Sequence, residues 1–174
     1  FGGDPAEGLM AEHVLEHLTP MQVLFVAAAS FAFLRPGARF RVAVPDAYIK
    51  DESYQLYVRA GEMPSGLGSN HQVVWSVDTL PDIFRSVGFQ VQLLEYRDLE
   101  GKFHRAGFHT KHGMIERTLL TDRRNRERDG RLKNESSMLW TSVLFDAIRP
   151  LDCTDPYPFP SPAAAEEEEE DAAA

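Results

Sequence analysis

The chain has 174 residues, enough for one domain with a real core, and its 43% hydrophobic and 26% charged content is ordinary for a soluble globular protein. The net charge is −9, but six acidic residues lie in the run from Glu166 to Asp171, so the remainder is close to balance and bulk charge points to no nucleic-acid partner. The single cysteine, Cys153, excludes an intramolecular disulfide and fits a reducing compartment such as the cytoplasm, and the apolar stretch 21–34 is too short and interrupted to span a membrane.

Residues 1–8 hold Gly2, Gly3, Pro5 and Gly8 and read as a loose lead-in. Residues 9–12 read as a short buried strand. Thr19 is placed to cap a helix with Pro20 at its first position. Val23, Leu24, Ala27, Ala28, Phe31 and Leu34 then recur at helical spacing, and Pro36 and Gly37 stop the helix. Phe40, Val42 and Val44 alternate with Arg41 and Ala43, which predicts a strand ending at Pro45.

Residues 51–60 read as a short helix and residues 61–70 as a loop rich in glycine and serine. A firmer helix follows, capped by Ser76 or Asp78, with Leu80, Ile83, Phe84 and Val87 on one face and Gly88 at its end. Phe89, Val91, Leu93 and Leu94 predict a strand with Gln90 and Gln92 pointing outward, and Gly101 turns a hairpin towards residues 102–108. The segment 121–133 is too charged for a core and reads as a loop. Residues 138–148 read as a final strand in preference to a helix, and residues 151–174 as a disordered Pro/Ala/Glu-rich tail. Two strand-helix-strand steps and a late strand imply an α/β layer with flanking helices against a mostly parallel sheet.

The most informative stretch is the elbow His13-Val14-Leu15-Glu16-His17. Taken literally it is H-x-x-E-H, a zinc-protease pattern in which two histidines on one helix face hold the metal and the glutamate is the base. Glu95 is then the available third ligand. Context argues against a zinc hydrolase, because the motif follows a strand and precedes Thr19, so the helix begins too late, and Glu95 sits in a strand. No metal is assigned on this reading. Glu16 and His17 otherwise serve as plain features of the helix start.

Val14-Leu15-Glu16-His17, followed by a helix and Leu34-Arg35-Pro36-Gly37-Ala38, resembles the end of strand four, the next helix and the L-K-P-G-G turn of class I S-adenosylmethionine-dependent methyltransferases. The strand from Arg39 to Asp46, RFRVAVPD, is similar to the R-L-R-I-A-V-P-D of a type 11-like group in that superfamily. His71 with Trp75, Thr79 and Leu80, then Val87-Gly88-Phe89, is similar to that group's H-x-x-x-W…T-L…A-G-F segment. Leu94-Glu95-Tyr96, Phe103-His104, Asp122-Arg123-Arg124-Asn125 and the ending SVLFDAIRP extend the likeness across residues 9–150.

The resemblance implies a partial Rossmann-like sheet with strands equivalent to 4, 5, 6 and 7, in which ligands sit beyond the carboxyl ends of the strands. It places Glu12, His13, Val14 and His17 beside the donor S-adenosylmethionine, and Asp46 towards the methyl acceptor. It makes His71 and His104 the candidates for orienting or deprotonating that acceptor. His71 can equally be a loop histidine bonded to backbone, and Asp46 can simply end its strand. The acceptor's class stays open among small molecule, glycan, protein and RNA.

Such enzymes bind the donor with a glycine-rich turn after a first strand and an acidic residue after the second. Gly2-Gly3 has no strand before it, and Gly66 and Gly68 follow no strand and open no convincing helix. The first residue, Phe1, is not methionine. The chain is therefore expected to be the carboxyl-terminal half of a methyltransferase, inactive alone, with its first strand left as an uncovered edge. A non-catalytic interaction or regulatory module of the same fold is the rival expectation. Arg117, Arg123, Arg124, Arg126, Arg128, Arg131 and Lys133 are interspersed with Asp122, Glu127 and Asp129 and lack aromatic neighbours, so they read as a solvated loop and not a nucleic-acid footprint.

Overall fold

The computed structural model describes residues 5–61, 70–134 and 139–151. The expected lead-in up to residue 4, most of the glycine- and serine-rich loop, Met138, Cys153 and the acidic tail lie outside the described residues. Among the described residues, no helix is long and apolar enough to cross a membrane.

The elements run β1 (Ala6–Glu12), α1 (Pro20–Phe33), β2 (Leu34–Pro45), α2 (Glu52–Val58), α3 (Leu80–Val87), β3 (Gln90–Arg97), β4 (Phe103–Arg105) and β5 (Ser142–Ile148). Thr19 caps α1 as its sequence requires. Its hydroxyl accepts from the Gln22 amide while the Gln22 side chain accepts from the Thr19 amide, and Pro20 sits in the first turn. Gly88 ends α3 in the left-handed region at φ 115°. Asp51 caps α2 by accepting from the Tyr54 amide. Thr79 occupies the cap position of α3, where Ser76 or Asp78 was expected, and its hydroxyl is turned back to the Ser76 backbone.

Three boundaries depart from the sequence reading. β1 begins at Ala6 inside the expected lead-in, because Gly8 and its neighbours pair with β2 across an irregular register. α1 ends before Leu34, since a residue just upstream of a proline is pushed towards extended backbone, and Leu34 opens β2 two residues ahead of Pro36. Leu24, expected on the buried face of α1, is exposed and lies beside Met21 and Phe25 on the outer side.

The strand order is β1-β2-β5-β3-β4. β1 pairs with β2 in parallel, but β2–β5, β3–β5 and β3–β4 are antiparallel, so the expectation of a mostly parallel sheet is corrected to a mixed five-stranded one. The reason is where the chain re-enters. The long excursion after β4 returns at the carboxyl end of β2, opposite Pro45, so β5 must run back towards Arg39. β2 and β3 both oppose β5, so β1, β2 and β3 still point the same way, as two strand-helix-strand steps require.

α1 and α3 cover one face of the sheet. Val23, Ala27 and Phe31 of α1 and Leu80, Phe84 and Val87 of α3 pack on Phe40, Val42, Val44, Val143, Phe145 and Ala147. Phe84 stands edge-on to Phe40 and to Phe145, with ring centres 5.6 and 5.3 Å apart, and Phe31 meets Phe89 at 4.9 Å. The opposite face is covered by irregular chain: Ile115 and Phe108 pack on Ala43, Leu94 and Leu144. This is why Arg41, polar by alternation, is fully buried.

Candidate functional site

After β1 the chain turns sharply. His13 takes φ 52°, the left-handed region that histidine enters more readily than most side chains, and its amide donates to the Ala43 carbonyl at 2.9 Å. Residues Leu15–His17 then form one 3-10 turn before Thr19 starts α1. The segment 71–75 clamps this elbow through backbone. The amides of Gln72 and Val73 donate to the Glu16 carbonyl at 2.7 and 3.3 Å, and the Trp75 indole N–H donates to the Leu15 carbonyl at 3.2 Å. These clamps on the elbow run through backbone carbonyls and not through the Glu16 side chain.

The elbow forms the floor of a cavity of about 260 Å³ outside the carboxyl ends of β1 and β2. His13, Glu16, His17 and His71 line it together with Tyr54, Tyr57, Arg117 and Trp140. The Glu16 side chain is 1% exposed. Among the described residues, neither of its buried carboxylate oxygens has a hydrogen-bond partner, and nor does Nδ1 of His17. Three imidazoles face Glu16 Oε1, with His13 Nδ1 at 3.3 Å, His17 Nε2 at 3.9 Å and His71 Nε2 at 4.0 Å. His71 Nδ1 lies 2.8 Å from the Val58 carbonyl. A carbonyl only accepts, so Nδ1 carries a proton and Nε2 is the nitrogen that faces Glu16.

The sequence candidates divide into those the cavity gathers and those it does not. His13, His17 and His71 meet around Glu16. Val14 is half exposed and does not line the cavity. The Glu12 carboxylate is taken up inside the chain, accepting from the Glu116 and Arg117 amides at 3.1 and 2.6 Å, which holds that segment beside the elbow. Asp46 is fully buried and closes the end of the sheet by accepting from the Tyr48 and Arg97 amides at 2.9 and 2.7 Å. Burial pushes its pKa up to about 6 against the pull of those two amides and of the Arg97 charge. Its amide donates to the hydroxyl of Tyr54, whose own pKa burial also raises.

His104 lies on β4, at the sheet edge farthest from β1. It stacks on Tyr96 at 4.9 Å, and its Nε2 is 2.7 Å from Asp98. Glu95, the third ligand of the literal zinc-protease pattern, is buried on the loop-covered face, where Oε2 accepts from the Leu119 amide at 2.9 Å. Burial raises its pKa as well, and it does not line the cavity. H-x-x-E-H thus spans a turn and not a helix, as the position of Thr19 required. Arg117, Trp140, Tyr54 and Tyr57 join the cavity from distant segments, and no local pattern in the sequence announces them.

No protein-family model matches the chain, and no characterised protein matches it in sequence. Among solved structures, a SAM-dependent methyltransferase from Archaeoglobus fulgidus aligns over 62% of this chain and 46% of its own length, with 15% identity and a TM-score of 0.41. A likeness that distant assigns no function, so the site is read from its own residues.

Proposed function

We propose that residues 9–150 form the acceptor-side half of an S-adenosylmethionine-dependent methyltransferase domain, a partial Rossmann-like sheet whose elbow cavity adjoins donor and acceptor. One observation carries this reading. The cavity lies outside the carboxyl ends of the parallel pair β1 and β2, where Val14-Leu15-Glu16-His17 and Pro45-Asp46 sit, and open α/β sheets bind ligands in that position. Two of the residues that carry the family resemblance serve the same place: Trp75 holds the elbow through the Leu15 carbonyl, and His71 faces Glu16.

In this reading the donor, when bound, supplies an electrophilic methyl group. His13 and His17 stand beside it, and His71 Nε2, its ring fixed through Nδ1, takes the proton of the acceptor. Asp46 holds the sheet end in register, and His104 stays outside the site. The glycine-rich donor turn is not expected among these 174 residues.

The test is donor binding. Titration of this chain with S-adenosylhomocysteine is expected to give no micromolar affinity. A longer product that places a strand and G-x-G-x-G turn ahead of residue 1 is expected to bind it, and to lose methyl transfer by about 100-fold or more with His71→Gln. Micromolar donor binding or methyl transfer by the 174 residues alone contradicts the division. A longer product that ignores the donor leaves the non-catalytic module.

A further inference from the structure

We propose that Glu16, His17 and His71 form a binding site for a divalent transition-metal ion of the zinc type, with the open coordination position facing the elbow cavity. Their ligand atoms lie within 4.8 Å of one another, and all three residues line the same cavity. A tetrahedral zinc site has ligand distances of about 2.0–2.2 Å, so its ligand atoms stand about 3.3 Å apart. The two Glu16 pairs, at 3.9 and 4.0 Å, therefore need to close by somewhat over half an ångström and the two imidazoles by at most about 1.5 Å, through rotation of the rings.

Three further observations point to a cation and not to a packing accident. Glu16 is a carboxylate taken out of water with neither oxygen hydrogen-bonded among the described residues, an arrangement that is costly unless a positive charge reaches it. His71 donates Nδ1–H to the Val58 carbonyl, the outer-shell contact that fixes the tautomer and aims the other nitrogen of a metal-binding histidine. His13 supports the carboxylate from the other side, with Nδ1 3.3 Å from Glu16 Oε1 and Nε2 3.3 Å from the Ser142 hydroxyl. We assign it a positioning role.

The donor set selects the metal class. Two imidazoles and one carboxylate suit zinc and its first-row neighbours, whereas magnesium and calcium require oxygen donors throughout. Three protein ligands leave a fourth position for water or for an oxygen, nitrogen or sulfur atom of a substrate, which the ion would acidify. The site differs from the literal H-x-x-E-H pattern, because Glu16 and His71 take the places of His13 and Glu95 as ligands beside His17. It is tested separately from the methyl-transfer reading, because a zinc titration needs no methyl donor; while the ion is bound His71 Nε2 is occupied, so its role as a base belongs to the metal-free site.

The experiment is calorimetric titration of the EDTA-treated, dialysed 174-residue chain with Zn²⁺ at pH 7.5, with Mg²⁺ as the control. One Zn²⁺ per chain with micromolar or tighter affinity is expected, and no heat from Mg²⁺. His17→Ala and Glu16→Gln are each expected to weaken binding by at least about tenfold while circular dichroism stays unchanged. Because a variant can fold poorly, the wild-type chain is also followed by NMR with Co²⁺, which is expected to perturb the His17 and His71 rings and leave His104 alone. Absence of stoichiometric Zn²⁺ binding overturns the site. So does binding that both variants leave unchanged, or a cobalt effect confined to the other histidines.

Discussion

Asp146 and Glu16 are both buried carboxylates, each with a side chain 1% exposed, yet their surroundings differ in every other respect. Asp146 lies directly across the β2–β5 ladder from Arg41. Arg41 Nε and Nη2 donate to its two oxygens at 2.8 and 2.9 Å, and Arg39 Nη1 adds a third bond at 3.0 Å. The remaining donor of Arg41 is spent on the His109 and Gly113 carbonyls at 2.9 and 2.6 Å, and Phe108 stacks on the guanidinium at 4.9 Å. Nothing there is left for a ligand. Glu16 is clamped through its backbone carbonyl, while its two oxygens face imidazoles, the nearest at 3.3 Å on His13, with no hydrogen bond among the described residues. A carboxylate both of whose oxygens are answered within the fold serves folding. One that is desolvated and unanswered serves something that arrives later.

The largest expected effect tests the satisfied end of that contrast. Arg41→Met leaves Asp146 buried with only Arg39 and is expected to cost about 3–5 kcal/mol in urea unfolding, whereas adding Asp146→Leu should return much of it. A cost under about 1 kcal/mol for the single variant would place Asp146 in the same class as Glu16.

Asp46 lies between the two, its oxygens answered by amides yet its charge poorly solvated. Its pKa is raised from 3.8 to about 6, so the folded chain binds a proton that the unfolded chain releases. The associated stability is full below pH 3.8 and is lost as pH rises to about 6, by about 3 kcal/mol. Denaturation at a series of pH values is expected to show this fall in the wild type and not in Asp46→Asn. An identical pH profile in both would remove Asp46 as its source.

The smallest effect belongs to the elbow. His17 is one-third exposed at 35%, and its ring makes no hydrogen bond that the fold needs, so His17→Ala should move metal-free stability by no more than about 0.5 kcal/mol. A loss above about 2 kcal/mol, read from the same urea transitions, would make the cluster structural.

Much of the scaffold was legible because its signals are local. Thr19 and Pro20 mark the start of α1, Gly88 and Gly101 stand where φ is positive, and the alternation of Phe40, Val42 and Val44 marks a strand face. The sheet order was not, because the position of β5 depends on where a long irregular excursion returns. Nor was the burial of Arg41: alternation says that it faces away from the helices, and only the loop over that face decides that it is dry. In the site, H-x-x-E-H was visible, but a helical template paired it with Glu95. The partner that the fold supplies is His71, reached through a loop and fixed by a backbone carbonyl that no sequence pattern encodes.

The claim that Glu16 is kept for a ligand and not for the fold is tested most directly by urea unfolding of Glu16→Met and wild type at pH 8 with EDTA present. Methionine matches the volume and removes the unanswered oxygens, so the variant is expected to be as stable as the wild type or more stable by about 1–2 kcal/mol. A loss of 2 kcal/mol or more would mean that the carboxylate holds the elbow together, and would contradict the account.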